Sequence, residues 1–269
     1  MPPKGPETGL LYGFGRAVEG TIDLDDRKPG HVWTPVSADR FDKDTRDPRI
    51  KMCQVDYAEY ARAPWALPMG GQLAKASGCA DINSPDVKIV HLSTLEAALD
   101  NSRLPIPPPT GFIFHETRCG STLVANMLAS VKSNMVWSES TGPWKLMHTC
   151  PKCPRQQIVR YLRVVIRSMT RSEEHTRFYF KFQSSEDIAA VTEAFPKVPW
   201  MFLFREPVEV MMSRLGAQRI GMDGMEDQVL AKVERGMRVG QRTRRSGKRE
   251  GELANLLSRL CKNAIKVRH

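Results

Sequence analysis

Beyond residue 110 the apolar positions fall into short runs that alternate between two periods. Gly111-Phe-Ile-Phe-His115 is a brief continuous apolar run, the signature of a buried strand. Leu123, Val124, Met127, Leu128 and Val131 then recur at helical spacing between Ser121 and Val131. Met135-Val-Trp137 predicts a second strand, and Arg155 to Ile166 a helix with Ile158, Val159, Leu162 and Val165 on one side. Phe178-Tyr-Phe-Lys-Phe182 predicts a third strand. Ser185 to Phe195 reads as a helix opened by a Ser185 cap, with Ile188, Val191 and Ala194 inward. Trp200-Met-Phe-Leu-Phe204 predicts a fourth strand, and Val208 to Leu215 a helix that starts just after Pro207. Strand and helix thus alternate four times. That order argues an α/β fold, a parallel sheet covered by helices on both faces. Ligands of such sheets bind at the C-terminal ends of the strands, so the turns after Phe114, Trp137 and Phe204 are where chemistry is expected.

The N-terminal part reads differently. Residues 1–50 carry Pro2-Pro3, Lys28-Pro-Gly30 and a polar run from Asp39 to Pro48, and predict an irregular, flexible extension. Residues 51–110 read as a small α/β segment, with a strand at Val87–Leu92, a short helix at Thr94–Leu99 and a stiff Pro-rich connector from Arg103 to Thr110. Residues 111–231 form the expected core, and 232–269 a basic C-terminal segment. The chain of 269 residues is 41% hydrophobic and 26% charged, a globular balance that can bury a core without disulfides or metals. No stretch approaches the roughly 20 apolar residues of a membrane span. Met1 to Glu7 has no apolar stretch, so neither a secretory signal nor an anchor is expected, and the default compartment is cytoplasmic.

Charge adds a second division. The net charge is +10, and residues 232–269 hold 12 Lys/Arg against 3 Asp/Glu, so the remainder is close to neutral. Such a segment suits an anionic surface or acidic ligand, or is simply solvated; no clear nucleic-acid motif accompanies it. Within it, Leu253, Leu256, Leu257, Leu260, Ala264 and Ile265 recur at helical spacing opposite Arg259, Lys262 and Lys266, which predicts an amphipathic basic helix. The 6 cysteines are too few and scattered for a disulfide framework and fit a reducing compartment. Cys150-Pro-Lys-Cys153 near His148 is half of a zinc site at most, and a structural turn explains it better; no metal is expected.

The turn after the first core strand is the richest in chemistry. His115-Glu-Thr-Arg-Cys-Gly-Ser-Thr122 joins a strand to a helix. Gly120 permits close backbone approach, Ser121 and Thr122 offer hydroxyls and amides at a helix N-terminus, and Arg118 adds a planar cation. A triphosphatase loop needs Gly-Lys before the Ser/Thr, and Gly120 is followed by Ser121. A cysteine-phosphatase loop needs Arg six residues after Cys, where Ala125 stands. The loop resembles the 5′-phosphosulfate loop of PAPS-dependent sulfotransferases, Pro-Arg/Lys-Ser-Gly-Thr-Thr, with Thr117, Cys119 and Ser121 as small or hydroxyl-bearing replacements.

A second element agrees with that resemblance. Phe204-Arg-Glu-Pro-Val-Glu-Val-Met-Met-Ser213 is similar to the family's Arg-Asp/Asn-Pro run followed by Ser, which binds the cofactor's 3′-phosphate; Glu206 stands where Asp or Asn is commoner. The resemblance covers residues 111 to 215 and implies a P-loop-type sheet. It also implies that the amides of Gly120 to Thr122, with Cys119 beside them, hold the 5′-phosphate, that Arg118 steadies the departing bridging oxygen, and that Arg205 and Ser213 hold the 3′-phosphate. Members that sulfate tyrosines or heparan chains place a Glu soon after the second strand as general base, and Glu139 occupies that position here. His148 is a lesser alternative base. His115 is expected to support the loop, and Lys181 to point either at the site or out from an edge. The expectation is therefore a metal-independent sulfotransferase moving a sulfuryl group from PAPS to a hydroxyl acceptor: a carbohydrate, protein tyrosine or small molecule. The rivals are a kinase-like nucleotide-binding protein and a degenerate sulfotransferase fold that acts as a binding module.

Overall fold

The computed structural model describes residues 18–39, 47–149, 153–182, 188–210 and 212–213. Two sheets organise it. The first is antiparallel, with strand order β1 (His31–Ala38), β2 (Arg49–Asp56), β3 (Val87–His91). The second is the expected parallel sheet. It contains β4 (Gly111–His115), β5 (Asn134–Ser138), β6 (Arg177–Phe182) and β7 (Trp200–Leu203) in the order β5-β6-β4-β7. All three of its strand pairings are parallel.

Helices α4 (Ser121–Ala129), α5 (Thr141–Thr149), α6 (Arg155–Met169) and α7 (Ile188–Ala194) connect these strands. The step from β4 to β5 runs one way across the sheet; those from β5 to β6 and from β6 to β7 run the other way. With right-handed crossovers, α4 therefore covers one face and α6 and α7 the opposite face. Side chains confirm the division. Phe112, Phe114, Phe180 and Phe182 share one face, and Phe112 meets Phe195 just past α7 at 5.7 Å between ring centroids. Period-2 alternation turns Lys181, which pairs in register with Ile113 and Ser138, toward the other face. There its Nζ lies 3.4 Å from Thr122 Oγ1 of α4. The Phe-Tyr-Phe-Lys-Phe run thus separates an aromatic core from a charged one.

The expected flexible extension is corrected for residues 31–38. They form β1, almost wholly buried between β2 and the helices α5 and α6. Its alternation was hidden because both faces are covered, so polar Thr34 and Ser37 are buried along with Val32 and Trp33. Trp33 donates its indole N–H to the Asp26 carbonyl at 2.7 Å. Between β2 and β3 lie α1 (Tyr57–Arg62) and α2 (Gly70–Ala76), and α3 (Leu92–Asp100) follows β3, starting two residues earlier than the Ser/Thr signal predicts. Tyrosines of α1 tie the two sheets together. Tyr57 donates to the Met169 carbonyl, and the amide of Val136 in β5 donates to the Tyr60 hydroxyl at 3.0 Å. Burial pushes the Tyr60 phenol up to about 12, so it is neutral at all ordinary pH values.

The cysteine expectation is corrected too. Cys53 of β2 and Cys79 beyond α2 form a disulfide, and Cys153 is disulfide-bonded as well. Spacing did not reveal the first pair because α1 and α2 fold back between its members. Disulfides persist in oxidising compartments, so cysteine usage no longer argues for a reducing one. Among the described residues no helix is long and apolar enough to cross a membrane, and no group of side chains could hold a metal ion. The Ser185 cap, Leu215, Cys150 and residues 214–269 lie outside the described residues.

Candidate functional site

Strand connections leave β4 and its neighbour β6 in opposite directions. The crevice at their C-terminal ends is a topological switch point, the general binding position of open parallel sheets. Glu116 to Thr122 rise from β4 at this crevice, and Glu139 follows β5 two strands away.

The first loop is shaped by backbone strain. Arg118 has φ +60°, and Gly120 has φ +88° as the N-cap of α4. No side chain caps α4; the Leu123 amide turns back to the Gly120 carbonyl at 3.0 Å, and the amides of Ser121 and Thr122 are the ones left to face the loop. A Cβ added at Gly120 would meet nothing within 4 Å; the left-handed φ, rather than crowding, selects glycine. Arg118 and Gly120 are exposed, Cys119 and Thr122 half-buried, and Ser121 buried.

The second loop is joined to the first at two points. Arg118 Nε donates to Ser213 Oγ at 3.1 Å, and the backbone N–H of Arg205 donates to Glu116 Oε1 at 2.6 Å. Residues 207–210 and 212–213 are helical, as the Pro207 start predicts. The Arg205 guanidinium is exposed and paired with Glu209 at 2.5 Å. The structure thus brings Arg118, Gly120, Ser121, Thr122, Arg205 and Ser213 to one end of the sheet.

Glu139 sits in a buried ion cluster. Lys181 Nζ lies 2.8 Å and His115 Nε2 3.3 Å from the same oxygen, Glu139 Oε1. Its other oxygen, Oε2, has no hydrogen bond or ion pair among the described residues. The His115 Nδ1–H donates to the Glu116 carbonyl at 2.9 Å. Burial alone would push Glu139 up, but His115 and Lys181 hold it down to about 2. Burial pulls His115 down, yet the Cys119 thiol and the Glu139 carboxylate raise it to about 9. At neutral pH the cluster is therefore a carboxylate held between two cations.

Glu139 also has φ +52°. It and Arg118 are the two non-glycine residues with positive φ among the described residues. Such strain costs on the order of 1–3 kcal/mol and gathers at functional sites. Three more polar atoms close by are buried without a hydrogen-bond partner: Ser138 Oγ, Ser140 Oγ and Glu116 Oε2. Unpartnered buried polar atoms are uncommon in folded proteins; Ser138 and Ser140 flank Glu139, and Glu116 opens the first loop. Burial pushes the Glu116 carboxyl up.

Two participants exceed the sequence reading. Lys181, left undecided there, is fully buried and aimed at Glu139 and Thr122; its signal was the lone charge in an alternating aromatic strand. Glu116 carried no signal, because only the fold brings the start of the second loop against it. His148, the alternative base, stacks edge-on against Trp144 at 4.8 Å on α5, outside the cluster. No family model, curated protein or solved structure matches this chain.

Proposed function

We propose that the protein is a PAPS-dependent sulfotransferase that passes a sulfuryl group to a hydroxyl acceptor. One observation carries the reading: two strand-to-helix loops that resemble the family's two phosphate loops lie in contact through Arg118 and Ser213 at 3.1 Å. A helix N-terminus with uncapped amides and a glycine cradle suits the 5′-phosphosulfate. Arg205, once drawn from Glu209, and Ser213 suit the 3′-phosphate.

The remaining residues fit sulfuryl transfer. The acceptor oxygen attacks sulfur in line as the bond from sulfur to the bridging oxygen breaks, and 3′,5′-ADP leaves. Charge grows on the leaving oxygen, where Arg118 and Lys181 would steady it. The acceptor's proton passes to Glu139, whose Oε2 is uncommitted. A carboxylate held down to about 2 is a weak base. It is also fully ionised, and a loose transition state in which the acceptor acidifies as its bond to sulfur forms asks little basicity of its partner. His115 would hold Glu139 in its strained backbone position. No metal enters this chemistry.

Calorimetric titration of 3′,5′-ADP tests the nucleotide half. Wild type is expected to bind, and Arg205→Ala to bind at least tenfold more weakly; equal affinities, or none in wild type, overturn it. The tight pairing of Glu139 favours one second reading, a non-catalytic nucleotide-binding module. Cofactor affinity with no sulfuryl transfer to any of a panel of saccharide, phenol and tyrosyl-peptide acceptors would select it.

A further inference from the structure

The helix α4 is inverted relative to an ordinary surface helix. Its buried side is small, with Ser121, Ala125 and Ala129, while Leu123 and Met127 are 66% and 64% exposed. Of the residues at helical spacing, Val124 and Leu128 are half-buried, with Leu128 packed against the core, while Leu123, Met127 and Val131 face away from it. A helix that is apolar on its outer side is normally covered by another layer. A second stripe lies nearby: Phe204, Val208 and Met212 are 70%, 61% and 64% exposed. Both step by four residues; Leu123 and Met127, and Val208 and Met212, each share one helical face, and Phe204 precedes the second helical segment. Among the described residues, six of the nine large exposed apolar side chains belong to these two stripes with Val131 included. The Arg118–Ser213 hydrogen bond joins the two segments at the entrance of α4.

We propose that this apolar surface is the docking site of the chain's own C-terminal segment, Leu253 to Ile265 folded as an amphipathic helix. Three observations choose that occupant. The described chain ends at Ser213, beside the surface, and continues to His269. The tail carries a matching stripe, Leu253, Leu256, Leu257, Leu260, Ala264 and Ile265, about 18 Å long as a helix against about 12 Å for the α4 stripe. A tether spanning residues 214–251 reaches easily and keeps the local concentration of the segment high. Docked this way, the segment turns Arg259, Lys262 and Lys266 to solvent. The proposal stands apart from the sulfuryl-transfer reading.

Hydrogen exchange on the full chain, at a concentration where sedimentation shows a monomer, tests it. Amides 253–265 are expected to exchange at least tenfold more slowly than a free peptide. Leu123→Asp with Met127→Asp is expected to abolish that protection. Leu256→Asp with Leu260→Asp is expected to raise binding of an apolar dye to the uncovered surface. This second variant leaves the core untouched, so it decides the matter if the first fails to fold. Free-peptide exchange in wild type overturns the proposal. So does protection that vanishes on dilution, which makes the occupant a second copy, or protection that appears only with anionic vesicles.

Discussion

Two of the buried charge groupings among the described residues, Arg171 and the Glu139 cluster, are built on opposite plans. Arg171 is fully buried and fixed by regular partners: the carbonyls of Leu24 at 2.8 Å and Trp33 at 3.3 Å, the Ser102 hydroxyl at 3.1 Å, and Asp25 at 3.7 Å. Its partners come from three N-terminal segments, so one guanidinium gathers the irregular stretch before β1, β1 itself and the connector after α3. Burial pulls it down to about 10, which still leaves it charged. The Glu139 cluster shares the burial and the pairing but adds a left-handed backbone, an uncommitted oxygen and orphaned hydroxyls at the end of the sheet. Burial of charge is common to a strut and a site. Strain and unspent hydrogen-bonding capacity at a strand end separate them.

Removing each charge should break the comparison in different ways. Arg171→Met leaves the buried Leu24 and Trp33 carbonyls without their donor and removes one cation from Asp25, which keeps Arg103; it is expected to cost about 3–5 kcal/mol, read from urea midpoints. A change below 1 kcal/mol would deny it the role of strut. Glu139→Gln should leave folding closer to wild type and lower sulfuryl transfer roughly 10²–10⁴-fold; unchanged turnover with intact nucleotide binding removes it as the base. Lys181→Met should act in the same direction and also raise the apparent pKa of Glu139, visible in the pH–rate profile.

Smaller effects sharpen the contrast. Gly120→Ala meets no steric barrier but must hold φ +88°, a strain of about 1–2 kcal/mol. Stability should also vary with pH through the cluster. The Glu139 contribution, present above its ordinary 4.5, is lost as pH falls toward about 2. The His115 contribution, present below its ordinary 6.5, is lost as pH rises through about 9. Thermal midpoints of wild type relative to Glu139→Gln should therefore be highest near pH 5–6 and converge on both sides; a difference that does not vary with pH contradicts the ion cluster. Ser138→Ala, which replaces an orphaned hydroxyl by a methyl, should change stability by no more than about 0.5 kcal/mol.

Much of the core was legible because local rules dominated it. Continuous apolar runs marked β4 and β7 to within a residue, and the 3.6-residue period of Ile158, Val159, Leu162 and Val165 marked the buried side of α6. The strand-to-helix setting of the two loops was legible because Gly120 and Pro207 mark helix entrances beside apolar runs. β1 was missed because both of its faces are buried, so that Thr34 and Ser37 lie inside along with Val32 and Trp33 and no alternation shows. The Cys53–Cys79 bond was missed because pairing follows distance in space rather than along the chain. The burial of α4 could not be read at all, because a helical period states which residues share a side, and only the neighbouring elements state which side meets the sheet.

The amino-acid order by itself determined the alternation of strands and helices, the residue content of the two loops and the place of the carboxylate after the second core strand. Those are local matters, governed by spacing, caps and residue type. The tertiary structure alone decided that β6 inserts between β5 and β4. That insertion sets Lys181 between Thr122 and Glu139, because parallel register and the pleat turn one side chain in two toward the same crevice. The meeting of Arg118 with Ser213, and of Glu116 with the amide of Arg205, likewise depends on β7 pairing beside β4.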